Sequence, residues 1–424
     1  MITDGTLSRT TSETERDYRM GEEWTLEEYK EKELDQDELD EETAKFLVEN
    51  FSSEVEVRFP NLKRDYKWKL VNQGFVGYIA LSGDNSIVLQ PKVELGNMFA
   101  MMEYAYDLGE FDLSTVYDSD SVEGFYDRIA NILAENVIDR RRRGLYRSYV
   151  EKEDKTQRIK GRIDFTKTLK KPWDSKAHVK YSEMTADNEE NQILFYTLDR
   201  ISSASSLCRD ETLRKVRKGV RSMKGGISYN EFRASDCAGR SYNRLNSDYE
   251  RLHALCRLIL DNSGPSYEVG DRQMVPFNVD MADLFQEFVT EWLRENLPDR
   301  FRVKAEEEVT LAKYDHGRDL KYRIDIVLYD RESSELICVI DTKYKTDVRP
   351  ETADVSQMVG YAKAKNTSET FLLYPEKLDE SLDVPLDDVR VRNLTFELED
   401  DLQRNGETFV EELAEALSLP ELEI

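Results

Sequence analysis

The sequence predicts a multidomain α+β / α/β fold: a small β-rich N-terminal domain, a mainly helical middle region and a C-terminal mixed sheet flanked by helices. Three observations carry that prediction. Alternating β-like runs fill "GFVGYIALSGDNSIVLQPKVEL" at 74–95, apolar residues recur at helical period through 98–143 and 186–262, and the last third reads helix, two strands, helix, strand, helix.

Residues 1–20 have no periodic apolar residues and read as a disordered lead. The next thirty residues turn from a strand or short helices to a helix, and "SGDNS" supplies a hairpin turn between the β-like runs, giving an N-terminal domain over 21–115. The middle region, 116–270, is helical apart from "KGRIDF" and a basic strand-like stretch. Gly and Pro in the polar run "DNSGPSYEVGDRQMVP" place a boundary there, so the last domain covers 271–424. It opens on "DMADLFQEFVTEWLREN", where Leu284, Phe285, Phe288, Val289, Trp292 and Leu293 form one apolar stripe at helical spacing. A helix at about 352–365, a strand at "TFLLYP" and a terminal helix complete the reading.

At 424 residues the chain is long enough for two or three domains. Its 60 Lys+Arg against 87 Asp+Glu leave a formal net charge of −27, spread along the length. Such a field repels polyanions at long range, but acidic surfaces also suit a salt-rich cytoplasm, where screening acts within a few ångströms. The second reading is preferred, so acidity does not exclude a DNA substrate. Cys208, Cys237, Cys256 and Cys338 are far apart without a C-x-x-C pair, which points to a reducing compartment and no structural zinc. No apolar run approaches the roughly 20 residues of a membrane span, and the first thirty residues are too polar for a signal peptide. A cytoplasmic protein without a membrane partner is expected.

The stretch "RIDIVLYDRESSELICVIDTKYK" at 323–345 joins two apolar runs by a polar turn and places acids inside them. A turn centred on Ser333 sets Asp325 opposite Asp341, with side chains on one face about 5 Å apart. Period two then puts Lys343 on the face of Asp341, roughly 7 Å along the strand. Two carboxylates so close repel unless a cation lies between them, and Mg²⁺ prefers such hard oxygen ligands. A bound Mg²⁺ polarises a phosphoryl oxygen and helps ionise water, while Lys343 offsets charge developing on phosphate. These parts fit metal-assisted phosphodiester hydrolysis. An exposed hairpin edge with a surface ion pair is the bland alternative for a lone D-x-K. It fits poorly here because "RIDIVLY" and "LICVID" are apolar enough for central strands, where an unpaired buried charge costs several kcal/mol. Downstream, Asp354, Gln357 and Tyr361 fall on one helical face, which either reaches that site or the DNA backbone, or is simply solvated.

With these residues in order, D…D-x-K followed by Q-x-x-x-Y resembles the PD-(D/E)xK nuclease superfamily, with Asp325, Asp341 and Lys343 at its core positions and Gln357 and Tyr361 at its helix motif. Further motifs narrow the resemblance to the McrC family, nuclease subunits of McrBC-type restriction systems. They are "GFVGYIALSGDNSIVLQPKVELGNMFAMMEYAYDL" with Pro91-Lys92, "RRRRGLYRSYVEKEDKTQRIKGRIDF" with Gly144-Leu145 and Gly161-Arg162, "YSEMTADNEENQILFYTL" with Asn191, and "DMADLFQEFV". The resemblance covers about residues 20–370. It implies a PD-(D/E)xK restriction-endonuclease-like C-terminal sheet, Mg²⁺ held by Asp325 and Asp341, cytosine-methylated DNA as substrate, and an McrB-like AAA+ GTPase hexamer as partner. The N-terminal half of the chain would engage that ring and stimulate its hydrolysis of GTP. This chain has no G-x-x-x-x-G-K-[ST], so nucleotide chemistry is left to the partner.

One position departs from the family. Its members commonly carry a metal-site Glu directly after the Phe of the opening helix, where this chain has Gln286, and the neighbouring Glu287 projects away from the apolar stripe. A rival reading follows, a non-cleaving assembly subunit that only stimulates the GTPase. Acid–base chemistry on a glycoside is a third reading, but no groove of stacked aromatics supports it. Arg140 to Arg143 read equally as a phosphate or partner contact and as the basic last turn of a helix ending at Gly144. His178, His253 and His316 lack metal-ligand spacing and read as ordinary polar residues, and the aromatics of "MEYAYDL" read as core.

Overall fold

The structure, a computed structural model, describes residues 22–62, 65–82, 85–109, 121–204, 207–269, 272–314, 317–345 and 350–422. The expected disordered lead, the junction at 115/116, His316 and part of the "SGDNS" turn lie outside the described residues.

Strands β1 (Glu23–Glu27) and β2 (Glu31–Leu34) precede helix α1 (Glu41–Asn50), whose start is capped by Asp40 accepting from the Thr43 N–H. Strands β3 (Val55–Arg58), β4 (Trp68–Asn72), β5 (Phe75–Ala80) and β6 (Ser86–Gln90) follow. They form two small sheets, β2-β4-β3 and β1-β6-β5, with β5 and β6 antiparallel about the expected turn. Helices α2 (Leu95–Tyr106) and α3 (Val122–Arg143) come next. The four arginines close α3 at Gly144, whose φ of 104° suits glycine.

Strands β7 (Ser148–Thr156), β8 (Arg162–Ile163) and β9 (Ala177–Thr185) make a three-stranded sheet around a one-turn helix, α4 (Phe165–Thr168). Gly161 is obligatory there, since its φ is 72° and a Cβ would come within 2.2 Å of the Lys180 carbonyl oxygen. Helices α5 (Glu189–Ser203), α6 (Asp210–Met223) and α7 (Asp248–Asp261) complete the middle region. After the short pair β10 (Tyr267–Val269) and β11 (Arg272–Met274), strand β12 (Phe277–Asp280) returns to the first sheet and pairs antiparallel with β5. The residues just after the Gly/Pro-rich run are therefore bonded to N-terminal strands.

Helix α8 (Met281–Asn296) starts at Asp280, which accepts from the Ala282 and Asp283 N–H groups, and buries the whole predicted stripe from Leu284 to Leu293. The mixed sheet expected after it is present. Its order is β13 (Phe301–Ala312), β14 (Leu320–Asp330), β15 (Leu336–Thr342), β16 (Glu369–Tyr374), β18 (Val389–Thr395) and β17 (Asp383–Leu386). The first three strands are antiparallel, β16 runs parallel to β15 and β18, and β17 is an antiparallel edge. Strands β13, β17 and β18 go beyond the three strands the sequence predicts for this domain.

Helix α9 (Thr352–Lys365) covers one face of this sheet; α8 and the terminal helix α10 (Leu402–Leu417) cover the other. Alternation in the central strands divides them between two cores. Ile326, Leu328, Cys338 and Ile340 join Phe285 and Trp292 of α8, whereas Val327, Val339 and Leu372 join Met358 and Ala362 of α9. The first of these cores continues through α2, α3 and α5 to α7. Among the described residues, no helix is long and apolar enough to cross a membrane.

Candidate functional site

Strands β14 and β15 are interior strands, so Asp325, midway along β14, and Asp341, near the end of β15, are shielded by the sheet itself. The register Ile326↔Ile340, Val327↔Val339 and Leu328↔Cys338 sets Asp325 and Asp341 at the next opposed position. A bulge at Tyr329↔Leu336 brings the turn into this alignment. Asp341 is 1 % exposed. Its carboxyl is pushed up to about 6, first by burial and then by the charge of Asp325. Asp325 is also raised by burial, against hydrogen bonds donated to its Oδ2 by the Thr342 N–H (2.9 Å) and hydroxyl (3.0 Å). The physical content is a pair of carboxylates short of counter-charge.

Asp325 lies where the sheet changes face. On β13, Glu306 adopts φ 48°, a left-handed conformation that costs a non-glycine residue about 1 kcal/mol or more. Before it, Val303 packs into the α8 core; beyond it, Val309 packs on the α9 side. The opposed β14 residues behave alike, with Ile326 in the first core and Ile324 in the second.

Lys343 completes the group. Its Nζ is 2.6 Å from Asp341 Oδ2 and 3.7 Å from Asp354 Oδ1, as same-face alternation requires. Burial works to lower its pKa, but Asp341, Asp354 and Asp325 prevail and hold it above the ordinary lysine value, so the side chain stays an ammonium. That ammonium donates to Gln357 Oε1 (3.1 Å), Gln357 Nε2 donates to the Tyr361 hydroxyl (2.6 Å), and Tyr361 donates to the Arg323 carbonyl (2.9 Å). Helix α9 thus ties the lysine back to the strand that carries Asp325. Gly360 lets this happen, because a Cβ there would meet the Tyr322 hydroxyl at 2.7 Å while Tyr322 packs edge-on to Tyr361.

All five predicted residues, Asp325, Asp341, Lys343, Gln357 and Tyr361, therefore converge between the sheet and α9. Three further contributors were not picked out as site residues. Thr342 holds Asp325; Asp354 accepts from the Glu351 N–H at the start of α9 and faces both Lys343 and Lys345; Lys345 pairs with it at 2.9 Å. Asp354 was detectable from its shared helical face with Gln357, and Lys345 from its period-two spacing to Lys343.

Gln286 makes no hydrogen bond to either aspartate through its side chain among the contacts described. It borders a 440 Å³ cavity with Asp261, Asp280, Asp283, Glu306 and Arg323; Asp325 and Asp341 do not line it. Glu287 pairs with Arg257 at 2.7 Å, and burial pushes its carboxyl up to about 7 despite that partner. A second cavity of 1020 Å³, between α9 and β17, also excludes the carboxylate pair. Among the described residues no group of three or more His, Cys, Asp or Glu side chains is placed to hold a metal ion. The Asp325–Asp341 pair does fit a hard cation held by two carboxylates with water filling the remaining positions, since positive charge between them relieves their repulsion.

The remaining motifs have internal partners. Arg140 bonds the Leu245 carbonyl and pairs with Asp248, Arg141 bonds the Ser222 carbonyl, Arg142 pairs with Asp139 and Arg143 lies 3.9 Å from Asp248. His253 is buried between the Tyr242 hydroxyl and the Glu190 carbonyl, and burial lowers its pKa to about 4. Tyr106 is buried against Asp261, as a core reading of "MEYAYDL" requires.

Fold and site together describe an α+β protein that gathers a buried aspartate, a half-buried aspartate and a half-buried lysine along two interior strands of its C-terminal sheet. Residues 70–375 match the family described as "McrBC 5-methylcytosine restriction system component", and the chain belongs to that family. It is 23% identical over 261 residues to the type IV methyl-directed restriction enzyme EcoKMcrBC of Escherichia coli (strain K12), covering 60% of this chain and 74% of that protein. Its fold is similar to a chain in the refined half-complex from the tetradecameric assembly of Thermococcus gammatolerans McrB AAA+ hexamers with bound McrC. The TM-score is 0.51 at 18% identity, over 92% of this chain and all of that one.

Proposed function

We propose that this chain is the DNA endonuclease subunit of a GTP-dependent restriction complex directed at 5-methylcytosine, and that it uses Mg²⁺ and stimulates an AAA+ GTPase hexamer. The observation that carries this reading is the convergence of Asp325, Asp341 and Lys343 on one buried face, 2.6 Å separating Asp341 from the lysine, in a member of the McrBC family. The order helix α8, three antiparallel strands, helix α9, parallel strand supports a PD-(D/E)xK arrangement. The GTPase partner is supported by the architecture shared with a chain from an McrB–McrC assembly.

In this mechanism Asp325 and Asp341 would hold the cation, which when bound would polarise phosphate and lower the pKa of water. Thr342 fixes the orientation of Asp325. Lys343, kept protonated by its acidic neighbours, presents fixed positive charge to the phosphate as negative charge develops there. Gln357 and Tyr361 restrain the lysine, so that little reorganisation is needed when substrate arrives.

The deciding experiment is cleavage of cytosine-methylated plasmid by this protein with its GTPase partner, Mg²⁺ and GTP at high salt, comparing the natural chain with Asp341→Ala. Cutting by the former and a loss of at least about 100-fold in the variant is expected. A second reading, an assembly subunit that stimulates the GTPase without cutting, is favoured by the uncharged Gln286, which stands where the family commonly has a metal-site Glu. Faster GTP turnover without cutting by either chain would select it.

A further inference from the structure

The residue after the site lysine leaves the sheet in the opposite direction. Tyr344 is buried in the α8 core, its ring 6.0 Å from that of Phe285, while Lys343 on the other face meets Asp341. Three residues of the N-terminal sheet region close on that tyrosine. Glu28, 2 % exposed, accepts from the Tyr344 hydroxyl at 3.0 Å. Tyr29 donates its hydroxyl to the Tyr344 carbonyl at 3.2 Å, and its ring is seated against Gly74, where a Cβ would come within 2.3 Å of the Tyr29 oxygen. Lys92 lies 4.6 Å over the Tyr344 ring, donates to the Lys345 carbonyl at 3.1 Å and pairs with Glu376 at 2.8 Å. The backbone from 343 to 345 is thus gripped from one side by N-terminal residues, and on the sheet by the Lys343 N–H donating to the Leu373 carbonyl at 2.8 Å.

We infer that Glu28, Tyr29 and Lys92 form a latch on Tyr344 that positions Lys343, so that the N-terminal sheet sets the geometry of the nuclease site from the far face of the C-terminal sheet. The argument is mechanical. A strand end carries successive side chains to opposite faces, so fixing one rotates the next into place. A carboxylate buried against an uncharged hydroxyl is costly to keep unless the contact serves the structure around it. Pro91-Lys92 acquires a task on this view: the lysine spans from the N-terminal sheet to the two residues that follow Lys343. Glu28 and Tyr344 are positioning residues, since neither touches the reacting atoms.

The enzymatic part of the inference rests on the proposed nuclease function, and the test separates the two. Tyr344→Phe removes the hydroxyl while keeping the ring, Glu28→Ala removes the acceptor, and Glu28→Gln keeps an acceptor of the same shape. Amide hydrogen exchange on the full chain is expected to show the Lys343 N–H exchanging about fivefold or more faster in Tyr344→Phe and Glu28→Ala, and at the natural rate in Glu28→Gln. With the GTPase partner and methylated DNA, the first two variants are expected to lose about tenfold in kcat with KM unchanged, and Glu28→Gln to restore it. Natural exchange at Lys343 in Tyr344→Phe overturns the latch, as does faster exchange with unaltered kcat. If Glu28→Ala does not fold, Tyr344→Phe decides alone. If the natural chain does not cut DNA, the nuclease reading falls, and the exchange rates still settle whether the latch holds Lys343.

Discussion

Asp325 and Asp341 are unequal partners. Asp325 has one oxygen engaged by the main chain and hydroxyl of Thr342, whereas Asp341 faces Lys343 and is the more deeply buried of the two. Thr342→Val keeps the N–H and removes the hydroxyl, so Asp325 gains freedom without a change of fold. Gln357→Ala breaks the chain that restrains Lys343. Each is expected to reduce DNA cleavage by about 10- to 100-fold, the usual cost of losing a group that orients a ligand or charge, with GTPase stimulation and the denaturation midpoint unaltered. Steady-state cleavage beside a urea titration checks both halves of that statement.

Elements place these residues through their ends and contacts. Asp280 caps α8 with two N–H groups, and Asp280→Ala is expected to cost about 1 kcal/mol in urea unfolding. On the same face of the sheet, α10 comes close to α8 at Gly406, where a Cβ would lie 2.2 Å from the Trp292 ring. Gly406→Ala should therefore destabilise by about 1–3 kcal/mol despite alanine's better helix propensity, an overpacking penalty with an unchanged m-value as its signature. A gain in stability would mean that α10 can shift away from Trp292. Glu306 is the third element-level feature. Its left-handed conformation passes β13 from one core to the other, and alternating hydrophobicity in "VKAEEEVTLA" gives no sign of it.

At the scale of the molecule, the buried Glu28 links N-terminal and C-terminal sheets and should make stability depend on pH. Burial raises its carboxyl to about 7, with the Tyr344 hydroxyl and the Lys92 charge opposing. A carboxyl with a raised folded-state pKa binds its proton more tightly folded than unfolded. Its contribution is complete below the ordinary glutamate range and is lost as pH rises through about 7, a change of about 3 kcal/mol. Glu28→Gln should remove that share of the slope, with Glu287 and Asp341 keeping theirs, leaving the variant more stable than the natural chain at pH 8 and equal to it near pH 4. Denaturation midpoints across that range test it; parallel pH curves for the two chains would show that Glu28 is solvated in the folded state.

Much of this architecture is local information. Helical periodicity in "DMADLFQEFVTEWLREN" and "TADVSQMVGYAKAK", and the apolar runs on either side of "DRESSE", determined α8, α9 and the central hairpin, because amphipathic period and turn chemistry act over a few residues. Hairpin symmetry also paired Asp325 with Asp341, and period two put Lys343 beside them. Tertiary structure alone decided the rest. The return of Phe277–Asp280 to the first sheet, the parallel seat of β16 against β15, the change of face at Glu306 and the closure of Glu28 and Lys92 on Tyr344 all join residues far apart in the chain. No local propensity encodes such contacts; they form because burying several apolar faces together leaves few arrangements that also satisfy the polar groups carried between them.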